Sequence, residues 1–125
     1  MILDTCALLW LASGSKRLSR SAQKEINEAP AVYVSAISGF EIALKVAKGK
    51  LTLPKPPQDW FEQVVEHHGL AVLPLELNAC IAAAQLPPHH HDPCDRFIIA
   101  TAKLRDLPVV STDEQFARYG LRVLI

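Results

Sequence analysis

Five short apolar runs constrain this chain more than any other feature: ILDT at 2–5, AVYVS at 31–35, LAVLPL at 70–75, PVVST at 108–112 and LRVLI at 121–125. A strand that is apolar without alternation is buried on both faces, as in a parallel sheet covered by helices on each side. The segments between the runs read as those helices. CALLWLA follows the first run, with Thr5 or Asp4 as its cap and Gly14 at its end. LSRSAQKEINEA offers Ser19 and Ser21 as caps and stops at Pro30. Ser35 caps AISGFEIALKVAKGK, which Gly49 closes. After the Pro-rich LTLPKPP come QDWFEQVVEHHG, ACIAAAQL capped by Asn78, CDRFIIATAKLRD started by Pro93, and the short DEQFARYG. Elements alternating in this way predict an α/β fold: three α/β/α layers around a short central parallel sheet. With 125 residues, no internal repeat and no long linker, residues 1–125 read as a single domain.

Composition narrows the class. Half of the residues are hydrophobic and 21% are charged, the balance of a globular chain. Thirteen basic residues meet thirteen acidic ones, so bulk electrostatics alone do not attract a polyanion. A nucleic-acid role therefore needs a local basic patch or a bound cation. No apolar run approaches the roughly 20 residues of a membrane span, and MILDTCALLW lacks the basic start of a signal peptide. The expected location is cytoplasmic, with no membrane partner. Cys6, Cys80 and Cys94 are odd in number and form no CxxC pair, which points to buried thiols rather than a disulfide or zinc framework.

In parallel α/β sheets, ligands sit beyond the carboxyl ends of the strands. Asp4 ends the first run, Asp113 follows the fourth, and Asp95 lies in the first turn of its helix. Glu41 sits inside the helix after VYVS, at the edge of a stripe formed by Ile37, Phe40, Leu44 and Ala47. Each acid also has a plain reading. Glu41 can pair with Lys45 four residues on, and Asp4 and Asp113 can cap helices. Their joint placement favours chemistry. Carboxylates are the hard ligands preferred by Mg²⁺ and Mn²⁺. Such an ion polarises a phosphoryl oxygen and activates a water, and it would draw phosphate to a chain of zero net charge. The stretch HHHDPCDRFIIATA at 89–102 raises a rival reading, a histidine metal site. Three consecutive side chains do not easily converge on one ion, and imidazole suits Mg²⁺ poorly. The chemistry is therefore assigned to Asp95, with the three histidines on the loop beside it.

Four pieces of the chain, in order, resemble the PIN-domain ribonucleases, and within them the VapC-type toxins of bacterial type II toxin–antitoxin pairs. ILDTCALLW resembles the opening strand, acid and helix of that family, and VSAISGFEIALK the segment with its glutamate. LPPHHHDPCDRFIIATA is similar to a segment usually written LPP-x-H-R-D-P-F-D-R, and VVSTDEQF to the final strand and acid. The resemblance implies metal-binding acids at Asp4, Glu41, Asp95 and Asp113. It implies supporting roles for Ser111 and Thr5, and makes Asp92 a recurrent acid of its segment. It further implies Mg²⁺ or Mn²⁺, endonucleolytic cleavage of RNA, a homodimer, and inhibition by a cognate antitoxin. Cys6, His91 and Cys94 depart from the pattern, where relatives have His, Ser or Asn, then Arg, then Phe. His90 matches a family position, whereas His89 and His91 do not.

Other features take structural readings. Lys16, Arg17, Arg20 and Lys24 form one basic cluster, and Lys45, Lys48, Lys50 and Lys55 another; each reads as a solvated face, with an RNA backbone contact as the functional alternative. Arg96 is expected to pair with a carboxylate such as Asp92, or to touch phosphate. Trp10 and Trp60 suit a core or dimer interface. Ala82, Ala83 and Ala84 give a thin helix face. The resulting expectation is a divalent-metal-dependent endoribonuclease. One alternative is a catalytically silent PIN-like module that binds RNA or protein. Another is a phosphatase with Asp4 as nucleophile, disfavoured because Cys6 replaces the second acid of a DxD pair.

Overall fold

The computed structural model describes residues 1–125. Its elements are β1 (Ile2–Leu3), α1 (Thr5–Ser13), α2 (Arg20–Glu28), β2 (Tyr33–Ser35), α3 (Ala36–Ala47), α4 (Pro57–His68), β3 (Ala71–Leu73), α5 (Leu77–Gln85), α6 (Pro93–Arg105), β4 (Val109–Val110), a 3-10 helix (Glu114–Tyr119) and β5 (Val123–Leu124). All five strands pair in parallel, in the order β3-β2-β1-β4-β5. Ile2 lies opposite Tyr33 on one side and Val109 on the other; Leu3 lies opposite Val34 and Val110.

Alternation along these strands builds two cores. Leu3, Val34 and Val110 point into one, with Leu8, Ile26, Ile42, Trp60 and Val64. Ile2 and Val109 point into the other, with Ile98, Ile99, Ala102, Phe116 and Tyr119. The sheet is thus covered on both faces, the α/β architecture that the apolar runs predict.

Local signals act as expected at several ends. Ser19 caps α2 and Ser35 caps α3 through their hydroxyls, while Gly14 and Gly69 close α1 and α4 in the left-handed conformation. Two details differ. Helix α5 begins at Leu77 with Glu76 at its cap position, so Asn78 lies inside the first turn. The apolar stripe on α3 is also rotated: Phe40 is 58% exposed and Leu44 39%, whereas Ile37, Ser38 and Ile42 are buried. Periodicity finds the stripe, but α4 and α6 pack beside it and choose the face that is covered. That rotation brings Glu41 closer to the interior than the sequence pattern places it.

Candidate active site

Strands β1, β2 and β3 progress one way across the sheet and β4, β5 the other, so the crossover direction reverses between β1 and β4. A crevice opens at the carboxyl edge of such a reversal. Of the six buried polar side chains, Asp4, Thr5, Ser35, Ser38 and Ser111 lie at this edge or in the helix turns that leave it; the sixth, Thr101, is inside α6.

Asp4 follows β1 and is only 5% exposed. Its Oδ1 accepts a hydrogen bond from the Ala7 amide at 2.7 Å, so it caps α1. Burial pushes its carboxyl above the usual range, and nearby Glu41 and Asp113 add to the rise, against the Ser111 hydroxyl and the Ala7 amide. Thr5 Oγ1 meets Ser38 Oγ at 2.9 Å, a buried tie between α1 and α3. Ser111 ends in the same edge, and its hydroxyl accepts from the Asp113 amide at 3.0 Å. Asp113 in turn caps the 3-10 helix, with Oδ1 accepting from Gln115 N at 2.9 Å. The capping reading of Asp4 and Asp113 therefore holds. It leaves Oδ2 of each acid outside the cap bonds.

Glu41 shows the same double character. Its Oε2 pairs with Lys45 Nζ at 3.1 Å, and that partner outweighs burial to raise the lysine's affinity for its proton. Its Oε1 is buried with no hydrogen-bond partner. A buried carboxylate oxygen left bare is costly unless a cation or donor completes it.

Asp95 sits in the first turn of α6. Burial is the main cause that pushes its carboxyl to about 7; Asp92, Glu41 and Asp4 raise it further, while His90 opposes. The helix itself is capped by Asp92, whose Oδ1 accepts from the amides of Cys94 at 2.9 Å and Asp95 at 3.2 Å. Asp92 is exposed, and these two bonds make it an organiser of the turn that carries Asp95.

Two expectations change here. His90 is not beside the acids but among them: its Nε2 lies 2.8 Å from Asp113 Oδ2 and 3.0 Å from Asp95 Oδ2. Ligand atoms of His90, Asp95 and Asp113 all fall within 4.8 Å of one another. Only the position shared with the resembled segment signalled His90. Arg96, for its part, does not pair with Asp92. Its guanidinium donates to the carbonyls of Ala83, Ala84, Leu86, Pro87 and His90. Five donors in a fixed fork suit a turn of chain whose carbonyls converge.

The donors at this edge are mostly carboxylate oxygens with an excess of negative charge, the set that suits a hard divalent ion. Glu41 Oε1, bare and buried, is the atom most in need of one. The thiols are less buried than expected, with Cys6 exposed and Cys80 and Cys94 half-buried, but thiol chemistry is disfavoured: partial desolvation pushes Cys94 to about 11 and also raises Cys6, and the surrounding acids add to both shifts. A groove of about 470 Å³ between α3 and α4 is lined by Gly39, Ile42, Phe61, Val65 and Val72 among others and contains none of the four acids. A site for an ion and a phosphodiester needs convergent oxygens rather than an apolar cavity, so the carboxyl edge is the better candidate.

Comparison with known proteins agrees with the fold. The PIN-domain family profile matches residues 1–121. Ribonuclease VapC22 of Mycobacterium tuberculosis is 30% identical over 116 residues, which is 92% of this chain and 88% of that protein. VapBC2 from Rickettsia felis, solved with a promoter DNA fragment, superposes with a TM-score of 0.73 at 13% identity, covering 98% of this chain and 96% of that one. FitAcB from Neisseria gonorrhoeae gives 0.69 at 22% identity, covering 99% and 96%. A toxin–antitoxin complex from Klebsiella pneumoniae gives 0.67 at 20% identity, covering 99% and 95%.

Proposed function

This chain belongs to the PIN-domain family, and from that premise we propose that it is a divalent-metal-dependent endoribonuclease acting as the toxin of a toxin–antitoxin pair. The observation that carries the reading is the bare, buried Oε1 of Glu41, on a side chain close enough to raise the carboxyls of both Asp4 and Asp95, with Asp113 joined to Asp95 through His90. Those four acids would hold Mg²⁺ or Mn²⁺. When bound, the ion would supply Lewis acidity toward a phosphodiester and an activated water.

The chain's own residues prepare the edge. The Ala7 amide orients Asp4. Lys45 takes one oxygen of Glu41 and leaves the other free. Asp92 fixes the helix turn from which Asp95 projects. The relative named a ribonuclease supports RNA as substrate, with Lys and Arg clusters available to its backbone.

Purified chain incubated with RNA and Mn²⁺ is expected to cleave internally. EDTA, Asp4→Asn and Asp95→Asn should each abolish cleavage; activity that survives all of these would sink the mechanism. A catalytically silent PIN-like module is the second reading. Retention of all four acids weighs against it, and it predicts no Mn²⁺ uptake together with intact partner binding.

The likeness to a solved toxin–antitoxin complex supports a cognate antitoxin as partner. Leu77 and Ile81, one turn apart on α5 and 75% and 49% exposed, support a second copy as the other partner. No helix is long and apolar enough to cross a membrane; the proposed location is the cytoplasm.

A further inference from the structure

We propose that His90 is a positioning residue of this site, a fixed Nε2–H donor that holds Asp113 and keeps Asp95 beside it, and that it is not a ligand to the ion. This rests on the metal reading above and deepens it. Three consecutive histidines near three acids invite the opposite assignment, and His90, Asp95 and Asp113 do form a group of metal-ligand spacing. The hydrogen bonds decide between the two.

The backbone amide of Asp92 donates to His90 Nδ1 at 3.1 Å. Nδ1 is therefore the acceptor nitrogen and carries no proton. In that tautomer the proton sits on Nε2, and Nε2 faces Asp113 Oδ2 at 2.8 Å, an acceptor. A ligand imidazole would need the reverse arrangement, with a lone pair on Nε2 and a proton on Nδ1. That proton would point at the Asp92 N–H. The ring is thus held in the tautomer that donates.

The ring is held from other directions as well. The His90 amide donates to Tyr119 Oη at 2.7 Å, and that hydroxyl donates to Pro87 O at 2.6 Å. The His90 carbonyl accepts from Arg96 at 2.9 Å. The edge of Phe116 packs against the ring, with centroids 5.8 Å apart at 87°. Only 11% of the side chain is exposed. A side chain restrained at both ring nitrogens, both backbone polar atoms and one ring edge has little freedom to turn toward an ion.

What this does for the site follows from charge and reach. Asp113 Oδ1 is engaged by the Gln115 amide and Oδ2 by His90, so its carboxylate is clamped in one orientation. Asp95 Oδ2 lies 3.0 Å from the same nitrogen, near enough to be drawn toward it. The donor supports two close carboxylates without adding a competing ligand. Outer partners of this kind typically change metal affinity by about 10–100-fold when removed.

Two measurements test this. In the metal-free protein, long-range ¹⁵N–¹H spectra of the labelled His90 ring should show the Nε2–H tautomer; an Nδ1–H pattern overturns the proposal. Calorimetric Mn²⁺ titration should then show about a tenfold or greater loss of affinity in His90→Ala. His90→Gln, whose amide can still donate at the Nε2 position, should recover most of it. Affinity unchanged in His90→Ala, or equally poor in both variants at matched thermal stability, overturns the positioning role. A directly bonded ¹⁴N signal in the electron-spin echo of the Mn²⁺-loaded wild type also overturns it, by making His90 a ligand. Failure of the underlying metal reading shows separately, as no Mn²⁺ uptake by the wild type, and the ring spectrum still decides the tautomer.

Discussion

Asp95 is disfavoured as an anion by its own surroundings. Burial first, then Asp92, Glu41 and Asp4, lift its carboxyl from 3.8 to about 7, so the folded metal-free chain binds this proton more tightly than the unfolded chain does. The sign follows from linkage: the contribution to stability is complete below about pH 4 and is lost as pH rises through 7. Metal-free protein should therefore show a falling melting temperature between pH 5 and pH 8, and Asp95→Asn should flatten that decline. An equally steep decline in the variant would contradict the assignment. Added Mn²⁺ should raise the melting temperature of the wild type at pH 7.5, because a ligand that binds only the native state stabilises it by mass action. Asp4, Asp95 and Asp113 stood out in the sequence because strand order places them at one edge, and Glu41 because it borders an apolar stripe on its helix. His90 did not. Its role depends on Tyr119 and Asp113, which lie 29 and 23 residues away in sequence, and reasoning about three adjacent imidazoles as ligands addresses a different question from one imidazole as a donor.

The connection between α5 and α6 shows what elements add to residues. It carries His90 on a loop with no regular structure, yet its carbonyls at Leu86, Pro87 and His90 converge on Arg96 together with those of Ala83 and Ala84 in the last turn of α5. Arg96→Lys keeps the charge but replaces a planar fork with a single ammonium. It should lower stability by about 2 kcal/mol in urea denaturation, the scale of losing one or two hydrogen bonds from a charged donor. Amide exchange across residues 86–92 should accelerate at the same time; unchanged protection there would mean that Tyr119 alone holds the loop. Strands and helices were legible because apolar runs, caps and glycines act within a few residues. The face of α3 was not, since Phe40 and Leu44 satisfy the helical period while the packing of α4 and α6 leaves them exposed. Arg96 misled for a related reason: an acid four residues earlier suggests a pair, but Asp92 is occupied at the helix start.

At the scale of the whole molecule, a chain of zero net charge brings Asp4, Asp95 and Asp113 to the carboxyl edge of a five-stranded parallel sheet, with Glu41 close by. Two cores, one on each face, hold that edge rigid, and Phe116 is fully buried in the core that also backs His90. Exposed Leu77 and Ile81 give the outer surface of α5 an apolar character that a partner copy would cover. Sedimentation should accordingly find a dimer, with Ile81→Asp shifting it toward monomer; a monomeric wild type at tens of micromolar would contradict that reading. The central claim is that the acid edge, rather than the histidine run, takes up the ion. Crystals grown with Mn²⁺ and measured at its absorption edge test this directly. The account predicts an anomalous peak bounded by Asp4, Glu41, Asp95 and Asp113, next to Glu41 Oε1. A peak on the His89–His91 imidazoles, with none among the four carboxylates, would contradict it.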